Sequence, residues 1–566
     1  MAAELSPEKL SETHRPTLDQ ALDAIRTRAY WSPHPEHPKA YGEGGPAGSL
    51  GAAEGKAAFD AVLNTRLDLG QPGTDGWTGG EVSPYGPKLG VEYPHADPDV
   101  LLPAMIAAMG GWRAAGPETR ALVCLEILAR ISARTHELAH AVMHTSGQAF
   151  VMAFQAGGPH AQDRGLEAVA YAYAEQTRTP HTADWSKPQG KRDPLRLHKT
   201  YHAVGRGVSL LIGCNTFPTW NGYPGLFASL ATGNPVLVKP HPRAVLPLAL
   251  TVQLAREVLA EAGFDPNLVA LAAERPGEGI AKTLALRPEI KIIDYTGSTA
   301  FGDWLEANAR QAQVYTEKAG VNTIVIDSTD DYRGMLSNLA FSLSLYSGQM
   351  CTTPQNLLIP RDGVPTDTGH KTYEDVVTDI AGAMTGLLDD DARANGLLGA
   401  LVNPDVRARL DQAAGLGEVA LPSRQVAHPD FPEAVVRTPV LIKLDGTDPD
   451  GGSACLSECF GPVSFAVAVE STTAALDLLR RTIREQGAMT VGAYTTSPEV
   501  ERAVEDVCFD ESAQLSLNLT GGVYVNQTAA FSDFHGSGGN PAANAALCDG
   551  AFVSNRFRVV EVRRQA

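Results

Sequence analysis

The sequence predicts an α/β protein built on two parallel sheets with helices on both faces. Two observations carry this. Short apolar runs of strand length alternate with longer segments whose apolar residues recur at helical spacing, the pattern that parallel strands joined by crossover helices produce. The chain of 566 residues also exceeds what one hydrophobic core supports. The alternation falls into two blocks, which assigns residues 81–318 to a first domain and 319–530 to a second, with an extension over 1–80 and a returning tail over 531–566.

Taken in order, the first eighty residues look appended. A short helix around Leu18–Thr27 precedes Tyr30-Trp31-Ser32-Pro33-His34-Pro35-Glu36-His37-Pro38 and a glycine-rich run to Gly55. Such composition favours an extended arm lying on other surfaces. Residues 81–94 suggest two short strands around the turn Pro84-Tyr85-Gly86-Pro87. From Asp97 the spacing becomes helical, through Leu125, Ile127, Leu128 and Ile131. Strands follow at 207–214 and 235–240, a helix at 246–263 closed by Gly263, a strand at 268–274, and a strand-then-turn at 290–298. The second block opens on the apolar run 323–327, and the tail 552–564 is β-like and free to pair with another chain.

Charge and composition exclude several classes of function. Lys and Arg number 46 against 65 Asp and Glu, a formal net charge of -19. That field repels polyanions, and no basic tract with interleaved aromatics appears, so neither nucleic acid nor an anionic membrane is an expected partner. The start, MAAELSPEKLSETHRP, lacks the basic and apolar regions of a secretory signal, and no uninterrupted apolar run reaches the roughly 18 residues of a membrane span. Seven cysteines form no disulfide framework, and Cys455-x-x-x-Cys459 has no matching second pair. The expectation is a cytoplasmic protein with free thiols and no metal.

Four segments then stand out: Leu211–Pro218 (LIGCNTFP), Thr296–Gly302 (TGSTAFG), Thr316–Gly320 (TEKAG) and Ser347–Cys351 (SGQMC). Leu237–Pro240 (LVKP) and Ser457–Val463 (SECFGPV) complete a set of six. In this order and spacing they resemble the aldehyde dehydrogenase superfamily, from about residue 80 to the C-terminus. The resemblance implies a Rossmann-type cofactor domain, an α/β catalytic domain and a small β arm, near 190–204 with the C-terminal tail, that makes a homodimer or homotetramer. It implies that Cys351 attacks an aldehyde, since a thiolate is a good nucleophile at neutral pH. The Cys351 backbone N–H and the Asn215 amide would hold the oxyanion, and Glu317 would activate water to release the acid.

The same resemblance implies cofactor contacts at Lys239, Gly297, Ser298, Gly302, Glu458 and Phe460. Gly297-Ser298-Thr299-Ala300-Phe301-Gly302 follows a strand and should open a helix whose first N–H groups face a pyrophosphate. Three departures from the family pattern matter. Thr216 is extra within the first motif, which leaves Asn215 the better match with Asn221 nearby; Lys318-Ala319 replaces the usual Leu-Gly after Glu317. Pro242 and Arg243 stand where many NAD-preferring members carry a carboxylate, which favours NADP over NAD because a 2′-phosphate meets less repulsion.

Within the superfamily the chain is most similar to the PaaN group of phenylacetate-degradation proteins, through YWSPHPE, the stretch 145–173 and DFHGSGGNPAANA at 533–545. That resemblance implies a semialdehyde made by hydrolytic ring opening and carried as a CoA thioester (3-oxo-5,6-dehydrosuberyl-CoA semialdehyde). Related proteins carry an additional hydratase-like domain, so a separate ring-opening hydratase is an expected partner. His160 and His535 are candidates to line a substrate or CoA channel, and equally to be packed or surface histidines. Two alternatives stand beside this reading: transfer of the thioester to CoA, and a zinc peptidase at His136-Glu137-Leu138-Ala139-His140, which matches the helical His-Glu-x-x-His pattern.

Overall fold

The structure, a computed structural model, describes residues 5–275, 277–447 and 453–566. The first block folds into a five-stranded parallel sheet in the order Val269–Leu271, Val236–Lys239, Val208–Ile212, Ile290–Thr296, Gln313–Glu317. Its inner strands are covered on both faces, which is why they read as continuous apolar runs. The strand order reverses between Val208–Ile212 and Ile290–Thr296. A crevice at the carboxyl ends of the strands is therefore expected there, flanked by the first motif and by the glycine turn after Thr296.

The second block forms a seven-stranded sheet in the order Glu418–Leu421, Val440–Asp445, Val463–Val469, Asn356–Pro360, Thr323–Ile326, Val491–Tyr494, Leu515–Leu517. All neighbours pair in parallel except the edge strand Glu418–Leu421. Only residues 318–322 separate Glu317, the last residue of the first sheet, from the start of Thr323–Ile326. The amino end of the second sheet thus lies close to the carboxyl end of the first, and Cys351 sits in the loop just before Asn356–Pro360.

Helices Pro98–Ala133, Thr135–Ser146 and Ala161–Thr177 pack on the first block. Asp97 caps the first of them through Asp99 N, and Gly116, at φ 77, kinks it. Thr135–Ser146 is buried along nearly its whole length.

The first eighty residues do lie on other surfaces, but they are more helical than their glycine and proline content suggests. Pro7–Thr27, capped by Ser6, buries Leu10, Leu18, Ala21 and Ala24 against Pro98–Ala133 and Ala161–Thr177. A second helix, Ala52–Val62, stacks Phe59 against His140 and His144. Of the two strands expected in 81–94, Glu92–Ala96 forms and pairs with Thr74–Gly79; around Pro84–Pro87 only the bridge Val82–Lys88 is present. In the tail, Gly550–Ser554 is helical, and β structure begins at Phe557. Phe557–Gln565 pairs with Arg192–Gly205, which pairs with Thr182–Gln189 in a three-stranded antiparallel arm. No helix among the described residues is long and apolar enough to cross a membrane.

Candidate active site

The loop that carries Cys351 is held by a tight, conformationally demanding turn. Tyr346 and Ser347 take left-handed φ angles of 54° and 52°, and Gly348 follows at 66°. Left-handed conformations of non-glycine residues cost of order 1–3 kcal/mol and persist where surrounding bonds fix them. Here Ser347 Oγ donates to the Gly399 carbonyl at 3.1 Å, and Tyr346 OH donates to the Ser146 carbonyl. Asn322, at the start of the second sheet, donates to the carbonyls of Cys351 and Thr353 at 2.8 and 3.0 Å. Its Oδ1 accepts from Met489 N and Thr490 N, so one side chain ties the nucleophile loop to the central strands.

Glu317 ends the edge strand of the first sheet and is buried. Its Oε2 accepts from Asn221 Nδ2 at 3.1 Å, and its Oε1 lies 3.2 Å from His535 Nε2. The same Nε2 is 3.8 Å from Cys351 Sγ. His535 reaches this point because the glycine- and asparagine-rich stretch 533–545 folds back on the edge strand. Lys318 N donates to Ala542 O at 2.6 Å, Asn544 N to Thr316 O at 3.1 Å, and Glu317 and Ala543 form an antiparallel bridge. Trp220 packs edge-on against the imidazole with ring centroids 4.5 Å apart.

The electrostatics follow from these contacts. Burial pushes the Glu317 carboxyl up, but His535 and hydrogen bonds from His535, Cys351 and Asn221 outweigh it and hold Glu317 below its ordinary value. Burial and the neighbouring Glu317 charge push the Cys351 thiol well above its ordinary value. One buried site thus favours the carboxylate and disfavours the thiolate.

Asn215 is not the amide facing the nucleophile. Its Nδ2 donates to the Thr145 carbonyl at 3.0 Å, and it is absent from the cavity wall that Cys351 lines. Asn221, on helix Pro218–Ala231, lines that cavity together with Cys351 and His535. The neighbouring Thr216 is held as well, its carbonyl accepting from Gln148 Nε2 at 2.8 Å, while the Asn215 amide is bonded to Thr145.

The cavity beside Cys351 holds about 520 Å³. Phe217, Trp220, Phe341, Leu345 and Met350 make it apolar near the thiol, while Glu36, Asp163, Asp533 and His160 make it polar elsewhere. Its wall includes Tyr30 and Glu36 of the N-terminal segment. That segment is fastened by the pairs His34–Asp163 at 2.7 Å and His160–Glu36 at 3.1 Å, and by the edge contact of Trp31 with Phe531. His160 therefore stands at the cavity, paired with Glu36.

A second groove, of about 220 Å³, is lined by Thr299, Asp303, Lys318, Gly320 and Glu458 among others. Glu458 is half-buried, and burial pushes its carboxyl up to about 7 against the pull of Arg409. Phe460 lies close in sequence, its carbonyl accepting from Arg409 Nη1 at 2.8 Å. Lys318 runs along the groove to Asp303 at 2.8 Å. Gly297 and Gly302 open and enter helix Thr299–Asn308: a Cβ on the first would stand 2.5 Å from Tyr295 Oη, and on the second 2.6 Å from the Lys318 side chain. Ser298 caps the turn and its carbonyl accepts from Tyr295 OH at 2.9 Å.

Lys239 ends its strand with Nζ 2.7 Å from Glu274 Oε1, both largely buried. Arg243 is exposed just beyond, its backbone N donating to His241 Nδ1 at 3.2 Å. Glycine turn, buried lysine and half-buried glutamate have the donor and acceptor types that a dinucleotide's pyrophosphate and ribose hydroxyls require, so these residues fit a nicotinamide cofactor.

The His-Glu-x-x-His helix makes no metal site. His136 Nε2 contacts the Pro38 carbonyl at 3.0 Å, Glu137 pairs with Arg134, and His140 lies against Phe59 and Phe150, with burial pushing its pKa down to about 4. Among the described residues, the one cluster of three metal-ligating side chains is Glu317, Cys351 and His535, whose ligand atoms lie within 4.8 Å of one another.

Three residues of the site were out of reach of motif reading. Asn221 was visible only as a neighbour of Asn215, and Glu274 stands 35 residues after its lysine partner. His535 lay in a noted stretch, but nothing in that stretch pointed to Cys351, 184 residues earlier.

The comparisons with known proteins agree with this architecture. The family described as the aldehyde dehydrogenase family matches residues 90–539. A crystal structure of an NAD-dependent aldehyde dehydrogenase from Burkholderia multivorans is 55% identical, covers 98% of this chain and 99% of that one, and superposes with a TM-score of 0.95. The succinate-semialdehyde dehydrogenase of Paenarthrobacter nicotinovorans is 24% identical over 451 residues, 78% of this chain and 92% of that protein. A 1-pyrroline-5-carboxylate dehydrogenase of Bacillus subtilis is 27% identical over 281 residues, a stretch spanning 51% of that protein.

Proposed function

The chain belongs to the aldehyde dehydrogenase family, and from that premise we propose that it oxidises an aldehyde to a carboxylic acid through a thioester on Cys351. The single observation that carries this reading is the gathering of Cys351, Glu317 and His535 within 4.8 Å of one another, with the Asn221 amide bonded to Glu317 and lining the cavity beside Cys351. Cys351 attacks the carbonyl carbon as a thiolate and forms a thiohemiacetal on its own sulfur. The Cys351 backbone N–H and Asn221, in place of Asn215, are the donors assigned to the oxyanion; one such donor is worth about 2.7–4 kcal/mol of barrier. NAD(P), when bound, supplies the hydride acceptor. Glu317, already anionic, takes a proton from the water that releases the acid.

The retained base favours water over CoA as the acceptor of the thioester. For the cofactor, Pro242 and Arg243 favour NADP, but Glu274 places a buried carboxylate on Lys239. A carboxylate there repels a 2′-phosphate and accepts from ribose hydroxyls, and this favours NAD. The aldehyde most consistent with the resemblance is the ring-opened CoA semialdehyde of phenylacetate catabolism, supplied by a separate hydratase. Residues of all three stretches that carry that resemblance, 30–36, 145–173 and 533–545, line the cavity. The carboxylates at Glu36, Asp163 and Asp533 limit what enters to neutral groups, such as a pantetheine arm, with the CoA phosphates outside. Trp185, Leu195, Val559 and Val560 expose apolar surface on the β arm, which supports a homo-oligomer joined there. Among the described residues no disulfide links the cysteines, as suits the cytoplasm.

The test is an absorbance assay of reduced nicotinamide with CoA-linked and free aldehydes, both cofactors, and CoA present or absent. The proposal expects turnover without CoA in the wild type and none in Cys351→Ser, which should still bind cofactor. Wild-type turnover by Cys351→Ser would reject the nucleophile.

A further inference from the structure

We propose that His535 is the proton acceptor and counter-charge of the nucleophile, so that Cys351 reacts as one half of a thiolate–imidazolium pair anchored by Glu317. This rests on the reading of Cys351 as the nucleophile.

The argument starts from charge. Hydrolytic oxidation requires a thiolate for attack and a carboxylate to activate water, and here both belong to one buried cluster. Two anions in a poorly solvated site repel each other, which is why the thiol is disfavoured as an anion beside Glu317. A cation is needed for both to coexist. Lys318, next in sequence to Glu317, is turned away onto Asp303 and Glu306. Arg164 is screened behind Trp220, 5.5 Å from that ring's centroid, and is already paired with Glu167. His535 is the group in place: its Nε2 is 3.8 Å from Sγ and 3.2 Å from Glu317 Oε1.

The step balances within these three side chains. With the neutral ring's proton on Nδ1, the Nε2 lone pair is open to the thiol: the S–H bond of Cys351 breaks, an N–H bond forms at His535 Nε2 and the electron pair stays on sulfur, after which Nε2–H can donate to Glu317 Oε1. No oxidant or further reactant enters. The imidazolium N–H then lies between thiolate and carboxylate, and its charge offsets the upward push of burial and Glu317 on the thiol. The ring is fixed for this role by Trp220 against its face and by its backbone N–H, which donates to Cys548 Sγ at 3.5 Å. Nδ1 is buried with no hydrogen-bond partner, so Nε2 is the ring's working atom. The ionisable groups facing the imidazole from the elements packed on it are Glu317, Cys351 and Cys548, with Arg164 beyond Trp220 and Asp533 two residues away in its own loop.

The experiment is alkylation of the full-length protein by iodoacetamide across pH, with modification of the peptide carrying Cys351 quantified by mass spectrometry. His535→Gln keeps the size but cannot become a cation. Its alkylation midpoint should rise by more than about one pH unit, a loss of roughly tenfold in reactivity near neutrality, with cofactor affinity and melting temperature unchanged. An unshifted profile overturns the role of His535. If His535→Gln fails to fold, the wild-type profile decides: half-modification below the ordinary cysteine range of about 8.5 is expected, and a single step at or above it overturns the proposal. Turnover surviving in Cys351→Ser would instead reject the nucleophile reading, which separates the two failures.

Discussion

Asn221 and Glu317 are joined side chain to side chain, Nδ2 to Oε2 at 3.1 Å. The bond places the amide beside the carboxylate proposed to activate water, and Asn221 also stands on the wall of the cavity that Cys351 lines. Replacing Asn221 by Ala should therefore lower kcat by about 10²–10³, or roughly 2.7–4 kcal/mol. Asn215→Ala should leave kcat largely intact and instead lower the melting temperature, because its amide is spent on the Thr145 carbonyl. Steady-state kinetics and melting curves on the two variants distinguish the assignments; equal losses of kcat would return the oxyanion role to Asn215.

Glu317→Gln keeps the shape of the site and removes the base. Pre-steady-state absorbance should show one burst of reduced nicotinamide per active site and then a stall at the thioester. Unchanged steady-state turnover would reject Glu317 as the base. In the wild type His535 and hydrogen bonds hold Glu317 below its ordinary value. The loss of deacylation due to its protonation should therefore set in at lower pH than for an ordinary glutamate.

Glu274 sits on Lys239 at 2.7 Å. Glu274→Gln removes a carboxylate from the lysine proposed to bind the ribose and should shift the ratio of kcat/KM from NAD towards NADP by about tenfold, near 1.4 kcal/mol. Parallel titrations with both cofactors measure it. A ratio that does not move would restore Pro242 and Arg243 as the deciding residues.

Glu36, from the N-terminal segment, adds a carboxylate to the cavity wall and pairs with His160. Because the pair is half-exposed, its contribution to stability is small, of order 1 kcal/mol or less. Glu36→Gln should leave the melting temperature within error and raise kcat/KM for anionic aldehydes several-fold relative to neutral ones. Equal changes for both substrate types would remove Glu36 from selectivity.

Arg556 grips Asp294 through two bonds of 2.6 and 2.8 Å, and both side chains are buried. The pair fastens the start of the C-terminal arm strand to the centre of the first sheet. Arg556→Met leaves a buried carboxylate without its partner and should destabilise the fold by about 3–5 kcal/mol. Adding Asp294→Asn should recover much of the loss. Denaturant melts that show additive losses in the double variant would mean the pair is not coupled.

The chain by itself determined the elements of this protein. Strand and helix periodicity is written over neighbouring residues, so the runs at 208–212, 236–239, 290–296 and 323–326 and the helix beginning at Pro98 could be read directly. Motif order likewise singled out Cys351, Glu317, Lys239 and the glycine turn at 297–302 as candidates. Composition was a poorer guide: the glycine- and proline-rich start contains two helices, because burial of Leu10, Leu18 and Phe59 against the domain outweighs weak local propensity.

What only the tertiary structure decided is how side chains distant in sequence meet. Asn215 bonds the Thr145 carbonyl while Asn221 bonds Glu317, a difference the sequence could not settle because an amide's direction depends on the backbone path and on the partner it finds. Glu274 reaches Lys239 across neighbouring parallel strands, and His535 reaches Cys351 because its loop pairs with the edge strand that ends at Glu317. No local period encodes such meetings. They are fixed by the packing of the two sheets, which brings a thiol, a carboxylate and an imidazole into one buried cluster and so sets the charge balance on which the chemistry depends.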